Sequence, residues 1–279
     1  MTLIIAVANQ KGGVGKTTTT VNLATSLCAL NKKVLIIDMD PQGNASTCLG
    51  ISQDKRLNSI YNVLIGKIDI NESILKTNIP NMFVSPSNLQ LASAQGELLS
   101  FKHKEYILKD RIMNMMYKYN NLINIHNNKQ DINQNYIKYD YIFIDCLPAI
   151  NILTVNAMVA ANYILIPLQC EFLALEGLAY FINTIKKIQS TLNRKLEICG
   201  IVITMHDKRN QFSNDIIDEI RKELGDLVYD TIIPRNIKLS EASSHGKPGV
   251  IYDMYCAGSL MYMMLAKEFL SKIKVNDFK

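Results

Sequence analysis

The residues best spaced for chemistry form one glycine-rich run, Gln10-Lys11-Gly12-Gly13-Val14-Gly15-Lys16-Thr17-Thr18, between an apolar strand pattern and a helical one. Glycines at these positions let the backbone curl so that successive N–H groups point at phosphate oxygens. The helix that follows adds its positive N-terminal end. Residues 11–18 therefore read as the cradle of a nucleotide, with Lys16 reaching the β- and γ-phosphates and the Thr17 hydroxyl ligating Mg²⁺. One departure is informative: a standard phosphate loop has glycine five residues before Gly15, where this chain has Gln10, and a second lysine, Lys11, is added. A cation there is oddly placed for its own loop. It is well placed for a nucleotide held by a facing subunit, where it would neutralise charge developing on the transferred phosphate.

Two apolar runs end in carboxylates. Val34-Leu35-Ile36-Ile37-Asp38-Met39-Asp40-Pro41 is one, and Tyr139-Asp140-Tyr141-Ile142-Phe143-Ile144-Asp145 is the other. Ligands of open α/β sheets bind beyond the carboxyl ends of the strands, so these acids should face the nucleotide. Asp40, followed by a chain-turning proline, is the candidate to orient or deprotonate the attacking water, and Asp38 to support it or Mg²⁺. The second run has the Walker B form, a hydrophobic strand then Asp145, which should hold Mg²⁺ through water. The expected catalytic set is thus Lys11, Lys16 and Asp40, and the expected metal set is Thr17, Asp38 and Asp145. Farther on, Arg209, Arg235 and Lys238 place positive charge on loops that follow strand patterns.

The elements that must position these residues follow from periodicity. Apolar runs at 3–8, 34–38, 82–85, 141–145, 163–167, 198–204 and 228–233 predict strands buried on both faces. Helical patterns at 17–30, 152–161, 173–192, 214–224 and 259–273 lie between and after them. Such alternation predicts a doubly wound α/β sheet, mostly parallel, with helices on both faces and right-handed crossovers. The whole of 1–279 reads as one such domain. An Asn-rich stretch, an insertion at about 118–137, reads as a surface loop or loose helix extension without chemistry of its own.

Composition narrows the class. With 48% hydrophobic and 20% charged residues the chain has material for a core, and its net charge of +5 permits a polyanionic partner without demanding one. The six cysteines, at 28, 48, 146, 170, 199 and 256, form no C-x-x-C pair. They read as buried thiols of a reducing compartment rather than as a metal or redox site. No signal peptide or membrane span is visible, so a cytoplasmic protein is expected.

The form K-G-G-V-G-K-T-T at 11–18 resembles the deviant phosphate-loop (deviant Walker A) family of dimerising ATPases. That family includes the ParA/Soj partition proteins, the MinD division-site proteins and the nitrogenase iron proteins. Two segments are similar to the ParA/Soj form in particular: D-M-D-P-Q-G-N at 38–44, and P-R-N-I-K-L-S-E-A-S-S-H-G-K-P at 234–248. The resemblance implies a P-loop NTPase that binds ATP and Mg²⁺ and forms an ATP-sandwiched homodimer in which Lys11 crosses between subunits. It implies that Pro234 and Asn236 frame the adenine. Arg209 and Lys238 match the positions used for sequence-independent DNA binding, with Arg235 a further candidate. It also implies weak intrinsic hydrolysis, stimulation by a ParB-like partner and residence at the nucleoid. Asp145-Cys146-Leu147-Pro148-Ala149 departs from the usual Asp-x-Pro-Pro-Ser. The sequence begins directly at its first strand pattern, so the N-terminal helix-turn-helix of larger relatives is not expected. The alternative reading is a membrane-recruited regulator of the MinD kind. The last helical pattern, rich in Met and Leu, reads instead as a packed helix, and the tyrosines at 252, 255 and 262 as packing residues.

Overall fold

Runs of aliphatic and β-branched residues pair into strands covered on both faces. The computed structural model describes residues 2–125 and 137–276, and one seven-stranded sheet organises them. Its strands are β1 (Leu3–Val7), β2 (Val34–Met39), β3 (Leu75–Lys76), β4 (Met82–Ser85), β5 (Tyr141–Cys146), β6 (Tyr163–Gln169) and β7 (Glu197–Thr204). They lie in the order β3-β4-β2-β5-β1-β6-β7, all parallel except the pair β3 and β4. The helices are α1 (Lys16–Ala29), α2 (Asn44–Cys48), α3 (Ile60–Leu64), α4 (Ile70–Ser73), α5 (Leu91–Glu97) and α6 (Ile107–Ile125). They continue with α7 (Ile152–Ala160), α8 (Ala174–Thr191), α9 (Gln211–Leu224), α10 (Ile237–Ser244), α11 (Gly249–Tyr252) and α12 (Ala257–Asn276).

Because side chains alternate across a strand, each strand feeds two cores. Ile5, Val7, Ile36, Phe143 and Leu165 pack under α1 and α12. Ile4, Ala6, Ile37, Ile144 and Ile166 pack on the other side with residues of α6 to α9. The doubly wound expectation is therefore met. Central β1 lies between β5 and β6, and the chain leaves it in one direction for β2 and later returns to lay down β6 and β7 on the other side. That reversal opens a crevice beyond the carboxyl end of β1, where the phosphate loop begins.

One expected strand is absent. Residues 228–233 make only isolated bridges, Ile201 with Val228 and, just beyond, His206 with Pro234. The physical reason is competition for donors: the backbone N–H groups of Asp230 and Thr231 donate to the Glu268 carboxylate of α12, at 2.7 and 3.0 Å. Strand β3, only two residues long, carries no periodic signal and was not expected. Of the Asn-rich segment, residues through Ile125 continue α6, and 126–136 lie outside the described residues. Five of the cysteines are buried and Cys256 is half-buried, all as free thiols.

Candidate nucleotide site

Residues 10–18 turn β1 into α1. Gly13 and Gly15 adopt left-handed φ values of 75° and 82°, and Gly15 is the N-cap of α1. A β-carbon on Gly13 would meet nothing within 4 Å, so conformation rather than crowding calls for glycine there. Thr204, at the end of β7, clamps the loop by donating its hydroxyl to the Val14 carbonyl at 2.8 Å. Three ties run from the start of the loop toward β6 and α8. Asn9 Nδ2 donates to Pro167 O at 2.8 Å, Gln10 Nε2 to Gly177 O at 3.3 Å, and Lys11 Nζ pairs with Glu171 Oε2 at 3.0 Å. Gln10, standing where a standard loop has glycine, is thus a strut to α8. Lys16 Nζ donates to the Lys11 carbonyl at 2.8 Å. Burial lowers its pKa, and the charge of Asp145 opposes that shift.

The carboxylates divide by burial. Asp38 and Asp145 are register partners on β2 and β5 and are fully buried. Asp145 accepts from the Thr17 and Thr20 hydroxyls, each at 2.8 Å. Asp38 accepts from the Ser46 backbone N–H at 2.8 Å and hydroxyl at 2.6 Å, which anchors α2 beneath the site. Burial, and next the charge of Asp38, push Asp145 up to about 7, while burial pushes Asp38 up to about 6. Asp40 lies half-buried beyond the end of β2, and its Oδ1 accepts from Gln42 N at 2.9 Å, holding the turn. The Thr17 hydroxyl and Asp145 carboxylate are hard oxygen donors of the kind Mg²⁺ selects. Among the described residues no group of three or more His, Cys, Asp and Glu forms a protein-only cage. A sparse donor set of this sort suits Mg²⁺ that keeps water and phosphate as its other ligands.

A cleft of about 610 Å³ lies over the loop, bounded by Lys16, Thr17 and Asp40 on one side and Pro234, Arg235 and Asn236 on the other. Folding thus unites the N-terminal phosphate loop with the two residues expected at the adenine. Asn236 also caps α10, its Oδ1 accepting from Lys238 N at 2.9 Å. Lys11 lies outside this cleft, half-exposed on Glu171. Arg235 and Arg209 border an adjoining polar pocket of about 400 Å³. Arg209 binds Asp207 with two nitrogens, at 3.0 and 2.7 Å, and holds that carboxyl well below the usual range. Lys238 pairs with Glu241 at 2.8 Å.

Several contributors escaped the sequence reading. Thr20 was within reach of it, since a residue three positions after Thr17 shares its helix face. Arg56 was not: its buried guanidinium donates to the carbonyls of Gly43 (3.1 Å) and Ile51 (3.0 Å) and to Thr47 Oγ1 (2.9 Å). It thereby fixes the segment just after Asp40, and backbone acceptors leave no pattern to read. Gly43, at φ 64°, yields to this arginine, whose Nη1 would lie 2.5 Å from an added β-carbon. Met205, at φ 52°, also lines the cleft in a conformation unusual for its type. Leu147 buries its side chain in the core. Tyr262 is buried and Tyr252 stacks on His245 at 5.1 Å, but Tyr255 is exposed, contrary to its expected packing role.

Comparison with known proteins agrees with this geometry. Residues 2–198 match the family model described as an AAA domain. The chain is 44% identical over 276 residues to the chromosome partitioning protein ParA of Caulobacter vibrioides, covering 99% of this chain and 97% of that one. It is 43% identical over 265 residues to the sporulation initiation inhibitor protein Soj of Bacillus subtilis, covering 95% and 97%. Among solved structures it is similar to cobyrinic acid a,c-diamide synthase from Mycobacterium smegmatis with bound ADP and magnesium. That likeness has 31% identity, a TM-score of 0.78, and covers 98% and 96% of the two chains. With the phosphate loop, the paired aspartates and near-full-length matches to both ParA and Soj, the chain belongs to the ParA/Soj family of partition ATPases.

Proposed function

We propose that this chain is a nucleotide-gated partition switch that rides on DNA. Two subunits close face to face over ATP, and the closed dimer holds DNA of the nucleoid without sequence preference. Hydrolysis stimulated by a DNA-bound partner of the ParB kind then releases it. One observation carries the reading: the phosphate loop and the 234–236 loop border one cleft, and the latter runs directly into α10 and Lys238. Nucleotide occupancy and the basic surface are therefore neighbours on a single segment.

The residues divide the work. Loop N–H groups and the start of α1 bind the phosphates, and Lys16 exchanges the Lys11 carbonyl for their oxygens. Thr17 and Asp145 would hold Mg²⁺, which when bound neutralises charge on the β- and γ-oxygens. Asp38 acts indirectly, fixing α2 through Ser46 and accepting from Asp40 N at 3.3 Å. Asp40 orients the attacking water or takes its proton, and Lys11 of the facing subunit meets the charge that develops. Arg209, Arg235 and Lys238 contact DNA phosphates, the lysine as a point charge without a bidentate fork. A membrane-recruited role is less supported, because α12 turns Tyr262, Leu265, Phe269 and Ile273 into the core. Among the described residues no helix is long and apolar enough to cross a membrane.

The test is DNA retention with ATP, ADP and no nucleotide across a salt series, beside liposome co-sedimentation. Retention should require ATP and fall steeply with salt. Indifference to nucleotide would sink the switch, and stronger vesicle binding than DNA binding would favour the membrane reading. Lys11→Ala should keep ATP binding and lose dimerisation or turnover.

A further inference from the structure

We infer that Glu171 is a positioning residue for Lys11: it holds the lysine against its own subunit and sets how readily two subunits close. The inference rests on the reading that Lys11 acts across an ATP-bound dimer. Lys11 Nζ lies 3.0 Å from Glu171 Oε2, with side chains 45% and 48% exposed. The other carboxylate oxygen accepts from Gln169 Nε2, so the carboxylate is oriented rather than loose. Of the three ties from the loop to the β6–α8 region, those of Asn9 and Gln10 involve buried or part-buried atoms. The Lys11 pair is exposed and is the one of the three that can open without stranding a buried polar group.

The chain beside Glu171 is poised to respond. Leu173 is held at φ 65°, a strained conformation for a branched aliphatic residue. Phe172 and Leu173 leave 74% and 60% of their surface exposed. An ammonium bound to Glu171 faces its own β6–α8 connection, and reaching a nucleotide in a second subunit requires leaving it. A two-fold dimer must open two such pairs, so the contribution of the latch counts twice. Glu171 thus opposes closure until ATP supplies a better partner for Lys11.

The test compares wild type, Glu171→Gln and Glu171→Asp by sedimentation with a non-hydrolysable ATP analogue, and measures ADP affinity by fluorescence titration. An exposed pair contributes little, but two open per dimer, so Glu171→Gln should tighten the dimer Kd roughly two- to thirty-fold. Glu171→Asp should fall between, and ADP affinity should stay within about two-fold of wild type, because the neighbouring ties keep the loop in place. Adding Glu171→Gln to Lys11→Ala should produce no tightening, since the latch then has nothing to hold. An unchanged or weaker dimer in Glu171→Gln overturns the inference. So does a matching loss of ADP affinity, which would mean that Glu171 shapes the loop. A wild type that stays monomeric with the analogue overturns the dimer reading itself, a pattern distinct from the other two.

Discussion

The nucleotide edge of the sheet carries polar residues in two conditions. At the ends of β2 and β5 they are buried and fully engaged: Asp145 with Thr17 and Thr20, Asp38 with Ser46, Arg56 with carbonyls of the α2 segment. After β7, on the 205–210 loop and the start of α10, they are exposed and paired only with near neighbours, Arg209 with Asp207 and Lys238 with Glu241. A buried polar group left unpaired costs several times what an exposed ion pair contributes. The first region must therefore be one rigid arrangement. The second can exchange its partners for a polyanion at little cost. The division suits the proposed switch, with a fixed nucleotide site and a reversible polyanion contact.

The largest test of that contrast removes a buried cation. Arg56→Ala strands the Ile51 carbonyl, empties the space of a buried guanidinium and should lower stability by about 2–4 kcal/mol, whereas Arg209→Ala should change it by less than ~0.5 kcal/mol. Urea unfolding of both variants measures the difference, and equal effects would break the comparison. Because Arg56 holds the segment after Asp40, ATP turnover should fall as well.

A second effect, one of pH, comes from the buried acids. An acid whose folded pKa is raised binds its proton more tightly when folded, so the folded state is favoured at low pH and loses that advantage as pH rises. For Asp145 the loss runs from its unfolded value of ~4 up to about 7. Without nucleotide, the thermal midpoint should therefore decline across that window, and Asp145→Asn should flatten the decline. A variant with the wild-type pH slope would show that burial of this carboxylate is not what costs stability.

The smallest effect lies on the exposed side. Arg209→Ala should weaken ATP-dependent DNA retention a few-fold and reduce the slope of log affinity against log salt by about 0.9, the value for one lost phosphate contact. An unchanged slope would remove Arg209 from the proposed DNA surface.

Much of the site was legible because its demands are local. Positive φ selects Gly13 and Gly15, a buried strand selects aliphatic residues up to Asp38 and Asp145, and the phosphate-loop spacing puts Lys16 and Thr17 at the start of α1. The expected strand at 228–233 failed for the opposite reason, since Glu268 of a distant helix takes its backbone donors. Arg56 and Glu171 were illegible on the same grounds, because each acts on a segment remote from itself in sequence or on backbone atoms.

By itself, then, the sequence determined the sheet class, the phosphate loop and the order of the carboxylates, all set by steric and hydrophobic rules within a few neighbouring residues. Tertiary structure alone decided that Gln10 braces α8 and that Lys11 rests on Glu171. It also brought Pro234 and Asn236 to the phosphate loop. Those arrangements depend on which strand ends the sheet order makes adjacent, and no short-range pattern in the chain encodes that order.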